Sequence, residues 1–76
     1  MEINKSVTLN ATVRIEDEGL NKVVAVFTAN IGENKMNHNI NITVTEKEVI
    51  EKSPENMILY KERYNEFIQV VQENLI

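Results

Sequence analysis

The chain has 76 residues, eight Lys and Arg against twelve Asp and Glu, and no cysteine. A chain of this length forms a single domain, residues 1–76, and buries only about 60% of the surface that its unfolded form exposes. The absence of cysteine excludes disulfides and thiolate metal sites, so association between copies is a reasonable source of extra stability. The net charge of −4 argues against binding to nucleic acid or to an anionic membrane.

Residues 3–15 predict the first β-strand. The odd positions, such as Val7, Leu9 and Val13, are apolar with the exception of Lys5, whereas the even positions carry Asn, Ser, Thr or Arg. This alternation is typical of a strand with one face in the core and one face in water.

Asp17–Gly19 predicts a three-residue turn with glycine in the left-handed conformation. Such a turn pairs Ile15 with Asn21 and Val13 with Val23. The odd positions of the next strand then face the core, which agrees with their apolar character.

Residues 21–31 are the most apolar part of the chain and predict the central strand. The predicted core face consists of Val23, Ala25, Phe27, Ala29 and Ile31. Val24 and Val26 fall on the other face. A strand that is apolar on both faces is favoured in the middle of a sheet.

Residues 36–45 predict a third strand that completes an antiparallel meander. A turn starting at Gly32 pairs Ile31 with Met36 and leaves Asn37, Asn39 and Asn41 facing outward. The predicted register places three core residues side by side, Leu9, Phe27 and Ile40.

Two helices are predicted after the strands. Thr45 and Glu48 match a capping box, which favours a short helix at 46–52 or an irregular connection there. Ser53 and Pro54 are a strong start signal for a long helix over 54–76. Its apolar positions share one face that we expect on the sheet, with Phe67 near Phe27; they are Met57, Tyr60, Tyr64, Phe67, Ile68, Val71 and Leu75.

The residues contain no recognisable catalytic, cofactor-binding or metal-binding pattern. His38 is the single histidine, and no second histidine or cysteine accompanies it. The acidic run Glu16–Glu18 lacks the alternating ligand spacing of a calcium loop, so a solvated turn is favoured. We therefore expect no enzymatic activity and no cofactor.

The third strand and the outer face of the sheet are candidate partner surfaces. The predicted strand is an edge without charge or proline, so it invites pairing with another strand. Leu59 and Val70 share a line on the helix away from its main stripe, either as scattered surface aliphatics or as a partner contact. The candidate contact residues are Leu59, Val70, Val24, Val26, Asn37, Asn39 and Asn41.

We therefore expect an α+β, non-enzymatic structural or protein-interaction protein that forms a homodimer or larger homo-oligomer, with a further protein partner unknown. The start of the chain lacks a signal-peptide pattern and no segment is long enough to span a bilayer, so the expected location is cytoplasmic. The composition is compatible with a phage or mobile-element accessory protein. The alternative is a nucleic-acid-associated regulator, which requires four cations to converge on one surface, Lys5, Arg14, Lys22 and Lys35.

Overall fold

The computed structural model describes residues 6–33 and 37–75. The elements in chain order are β1 (Val7–Asp17), β2 (Leu20–Ile31), β3 (His38–Val44), α1 (Lys47–Glu51) and α2 (Pro54–Leu75). The three strands form one antiparallel sheet in the order β1–β2–β3. The predicted α+β meander with a short and a long helix is confirmed. The predicted strand residues 3–5, together with Met36 and its pairing, lie outside the described residues.

The first turn has two residues, Glu18 and Gly19, rather than the predicted three. Both have positive φ angles, 52° and 80°, which is the combination that a type I′ hairpin turn requires. The partner of Ile15 is consequently Lys22 and not the predicted Asn21. The predicted turn has the left-handed conformation at glycine alone, whereas Glu18 also adopts it.

A β-bulge in β2 then restores the predicted alternation. Val13 pairs with Ala25 and Arg14 pairs with Val23, so Val24 is an extra residue between two paired ones. Val24 is fully buried, and its predicted position on the outer face is wrong. The predicted core position of Val23 is also wrong, because the bulge reverses the alternation between the turn and the centre of the strand.

The bulge is held from the end of β3 by Thr45. Its hydroxyl donates a hydrogen bond to the carbonyl oxygen of Val23 at 2.7 Å, and its backbone N–H donates to the carbonyl oxygen of Val24 at 2.9 Å. The predicted capping box is therefore not formed, since the Thr45 side chain is used by the sheet. The short helix α1 is present nonetheless, and its Val49 and Ile50 are buried.

β3 pairs with β2 two residues further along the chain than predicted. Ile31 pairs with His38. A shift of two residues leaves every side chain on its predicted face but changes its neighbours. The predicted row of Leu9, Phe27 and Ile40 is therefore wrong; the observed rows are Leu9–Ala29–Ile40 and Ala11–Phe27–Ile42.

α2 begins at its predicted cap and packs on the core face of the sheet. The backbone N–H of Asn56 donates to the hydroxyl of Ser53 at 3.2 Å. Phe27 is fully buried at the centre of the contact, with the rings of Tyr60, Tyr64 and Phe67 at centroid distances of 5.9, 6.0 and 5.5 Å. Each such aromatic pair contributes about 0.5–1.5 kcal/mol beyond its buried area. The predicted proximity of Phe67 and Phe27 is confirmed.

The molecule is a thin and elongated two-layer slab. Its extents are 54 × 20 × 14 Å and its Cα radius of gyration is 15.1 Å, against about 11 Å for a compact domain of this length. The accessible surface is 5755 Å², which exceeds by about 1,000 Å² the area typical of a monomer of this mass.

The bulge leads to a direct test with neighbouring valines of β2. We expect Val24→Ala to lower the free energy of unfolding by about 2 kcal/mol, because it removes two buried methyl groups and leaves a cavity. The control Val26→Ala, at a half-buried position of the outer face, should cost less than about 1 kcal/mol. Urea unfolding at one fixed protein concentration measures both. Equal costs would contradict the bulge.

Candidate functional site

The face of the sheet that α2 covers has an exposed apolar margin beside β3, which we call the third-strand flank. It consists of Ile42 and Val44 of β3 with Tyr64 of α2, which are 38, 42 and 36% exposed. Met57, which is 42% exposed, stands about two turns before Tyr64 on the same side of α2. Ile42 pairs with Phe27 across the sheet, and the ring of Tyr64 meets Phe27 edge-on. The flank is thus the outer margin of the core, and it is open because α2 packs mainly on β1 and β2.

The outer edge of β3 adjoins this flank. The strand His38–Val44 contains three asparagines or threonines between its aliphatic residues and no lysine, arginine or acid. Among the described residues, β2 is its only neighbour in the sheet. An edge strand with free backbone groups and no charge to repel a second strand is a ready template for pairing.

A groove runs along the opposite margin, between β1 and α2, and we call it the first-strand groove. Its volume is about 280 Å³. Its floor and walls are mostly apolar side chains of β1, β2 and α2: Leu9, Ala11, Val13, Phe27, Phe67 and Val70. The long side chains at its rim, Arg63 and Glu66, form an ion pair with an N–O distance of 2.9 Å.

The outer face of the sheet is a polar ladder rather than an apolar patch. The Thr8 hydroxyl donates to the Asn30 side-chain oxygen at 3.0 Å, and the Thr28 hydroxyl donates to Asn10 at 3.3 Å. The Asn30 amide donates to the Asn39 oxygen at 3.3 Å. These side chains satisfy one another in water, so the face gains little from being covered.

The predicted partner residues fall into different environments. Val24 is in the core, and Leu59 is partly buried and packs against the core. The predicted line of Leu59 and Val70 is therefore divided, since Val70 remains 44% exposed and lines the first-strand groove. Val26 is half-buried on the outer face.

The three asparagines of the predicted partner surface are exposed. Asn39 and Asn41 lie on β3. Asn37 precedes the strand, and its carbonyl oxygen accepts a hydrogen bond from the Gly32 N–H at 2.8 Å. The sequence does not predict the third-strand flank, because Met57 and Tyr64 belong to the same apolar stripe as the residues that α2 buries.

Asp17 is the centre of a charged cluster that joins the first turn to the start of α2. One of its carboxylate oxygens lies 2.6 Å from the Lys52 ammonium and the other 3.1 Å from that of Lys22. The Lys52 ammonium also lies 3.5 Å from a Glu18 oxygen. Hydrogen bonds from Lys52 and then Lys22 lower the pKa of Asp17, and the bond to Asp17 raises the pKa of Lys52. These ion pairs hold the acidic turn to the segment that precedes α2, and we call the cluster the Asp17 clamp.

Of the four cations required by the alternative function, the two in the described part of the chain, Arg14 and Lys22, lie on opposite faces of the sheet. Arg14 and Ile15 lie on opposite faces of β1, and Lys22 pairs with Ile15 on the core side. Lys5 and Lys35 lie outside the described residues.

Within residues 6–33 and 37–75, no group of three or more acidic, histidine or cysteine side chains is placed to share a metal ion. None of the described helices is long and apolar enough to cross a membrane. A comparison with models of known protein families gave no match, and neither curated protein sequences nor solved structures gave a significant match. The surfaces described above therefore carry the functional argument alone.

The Asp17 clamp predicts a defined pH dependence. A lowered pKa means that its stabilisation is complete above the pKa of an unfolded aspartate, about 3.9, and is lost as the pH falls through the folded value. The raised pKa of Lys52 means that its contribution persists until the pH rises above about 10.4. We expect Asp17→Asn to be less stable than the parent by a constant amount from about pH 5 to 9, and the difference to vanish in acid.

Urea unfolding at a series of pH values measures this difference. Glu16→Gln, a change at an exposed neighbouring carboxylate, is the matched control and should have little effect. A difference for Asp17→Asn that stays unchanged down to pH 2 would show that the carboxylate does not carry the stabilisation.

Proposed function

We propose that this chain is a non-enzymatic protein-interaction protein that works as a homodimer, in which two copies pair along the outer edge of β3. The observation that carries the proposal is the third-strand flank: exposed apolar side chains lie directly beside an uncharged strand edge. Pairing gives hydrogen-bond partners to the free backbone groups at the edge of β3, and it brings apolar side chains of the second copy to the flank.

The surface that the fold leaves exposed is large enough for an ordinary interface. A standard protein–protein interface buries about 800 Å² on each partner. The accessible surface of 5755 Å² exceeds that of a typical monomer by about 1,000 Å². A second copy is thus sufficient to account for the surface that the fold leaves exposed.

The symmetry of a dimer restricts the register of the pairing. In an antiparallel pair, opposite residues point to the same face, so a two-fold axis perpendicular to the sheet must pass midway between one residue and its own copy. β3 has seven residues, His38–Val44, and all seven find partners only if Asn41 faces Asn41 of the second copy. Ile42 then lies beside Ile40 of the second copy on the helix side, and the two sheets form one of six strands.

A charge on the flank should separate the copies. We expect the parent protein to elute with twice its chain mass of 8.8 kDa, and Ile42→Lys to elute as a monomer, since an edge lysine opposes strand pairing. Ile58→Lys is the matched control, because Ile58 is also exposed but lies on α2 outside the flank. Light scattering on a size-exclusion column measures the mass, and circular dichroism checks the fold.

A parent protein that is monomeric at high micromolar concentration would contradict the proposed dimer. If Ile42→Lys remains a dimer and Ile58→Lys is a monomer, the interface lies on α2 and not at the edge of β3.

The absence of cysteine from the chain permits a test of the register itself. Asn41→Cys should form an intermolecular disulfide under mild oxidation, since cross-strand partners have Cα atoms about 4.5–5.5 Å apart, within disulfide range. Thr43→Cys is the control, because its copies would lie four residues apart, about 13 Å. Non-reducing electrophoresis reads the result. Faster cross-linking of Thr43→Cys than of Asn41→Cys would contradict this register.

A further inference from the structure

The first-strand groove lies on the margin of the sheet opposite β3. At about 280 Å³ and open to solvent, it lies below the usual range of about 300–1,000 Å³ for pockets that enclose a small ligand. Its apolar lining nevertheless reaches the surface, since Val70 is 44% exposed and Leu9 and Ala11 are only partly buried. The groove is shaped for a few aliphatic side chains rather than for a metabolite.

One wall of the groove is a free strand edge. Among the described residues, β1 has β2 as its only neighbour in the sheet. Leu9, Ala11 and Val13 stand at alternate positions of this strand and line the groove. A peptide that adds to the edge therefore satisfies the outward backbone groups of β1 and directs every second side chain into the groove, which is the geometry of β-strand addition.

The charge at the groove restricts the chemistry of this peptide. Arg63 and Glu66 at the rim neutralise each other at 2.9 Å, and the other lining side chains are aliphatic, aromatic, Asn or Thr. Among the described residues, the lining of the groove has no unbalanced charge to recognise a phosphate or an acidic or basic motif. An uncharged occupant is favoured, because it leaves the ion pair at the rim intact.

We propose that the first-strand groove binds an extended segment of a partner protein, with apolar side chains at alternate positions, as an additional strand beside β1. Five residues opposite Leu9–Val13 span about 13 Å, which is enough to place two or three side chains over the groove. This site lies on the margin opposite β3, so it remains open whether or not two copies pair there.

The test uses a fluorescent eight-residue peptide of alternating leucine and threonine, titrated by anisotropy. We expect saturable binding that Val70→Lys weakens at least tenfold, because the lysine places a charge in the groove. Ile58→Lys, at an exposed helical position outside the groove, should leave binding unchanged. Ile42→Lys should also leave it unchanged, which separates this site from the β3 edge.

Two further peptides, N-methylated on the even or on the odd amides, test the strand geometry. Only one set of amides faces β1, so one peptide should lose binding and the other should retain it. No binding of the parent peptide up to 1 mM would overturn the proposal. So would equal binding of both methylated peptides, or binding that is sensitive to Ile42→Lys and insensitive to Val70→Lys.

Discussion

One helix is narrower than the three-stranded sheet on which it packs, and this difference in width determines which surfaces of the molecule stay exposed. Three strands at about 4.8 Å spacing present a face about 14 Å wide, whereas one helix with its side chains is about 10–12 Å across. α2 centres on Phe27 of the middle strand and leans towards β1, so the β3 side receives the smaller share of cover. Both strand edges stay open because no further element is present among the described residues to close them.

Much of the fold could be predicted from the sequence, because alternation and helix caps are local signals. The pairing register of the strands could not be predicted in this way. A displacement of two residues, as at Ile31 and His38, preserves every face and leaves no trace in the pattern. The bulge at Val24 was hidden for a related reason: Val23 and Val24 are both apolar, so either can be placed inside. The hydrogen bonds that stabilise the bulge come from Thr45, which lies twenty-one residues after Val24 in the sequence.

The candidate site was only partly accessible to sequence reasoning. The edge of β3 was identified correctly as an uncharged strand, because composition alone shows it. The apolar flank beside it was not, since the periodicity of α2 shows which residues share a stripe and not how far the stripe extends beyond its partner. Val70 lines a groove as a surface residue, but Leu59 on the same line is drawn into the core. Distinguishing them required the position of the helix across the sheet.

The contacts of α2 are distributed unevenly along its length. Its first turn is held by the Ser53 cap, by the Asn56 side chain donating to the Val49 carbonyl at 2.8 Å, and by the nearby bond of Lys52 to Asp17. Its far end is held through Val71 and the partly buried Leu75. Local opening is easiest where buried contacts are fewest. Among the described residues of α2, only Phe67 and Val71 are buried, and both lie in its second half. Hydrogen exchange should therefore be slowest around these two residues and faster towards both ends of the helix.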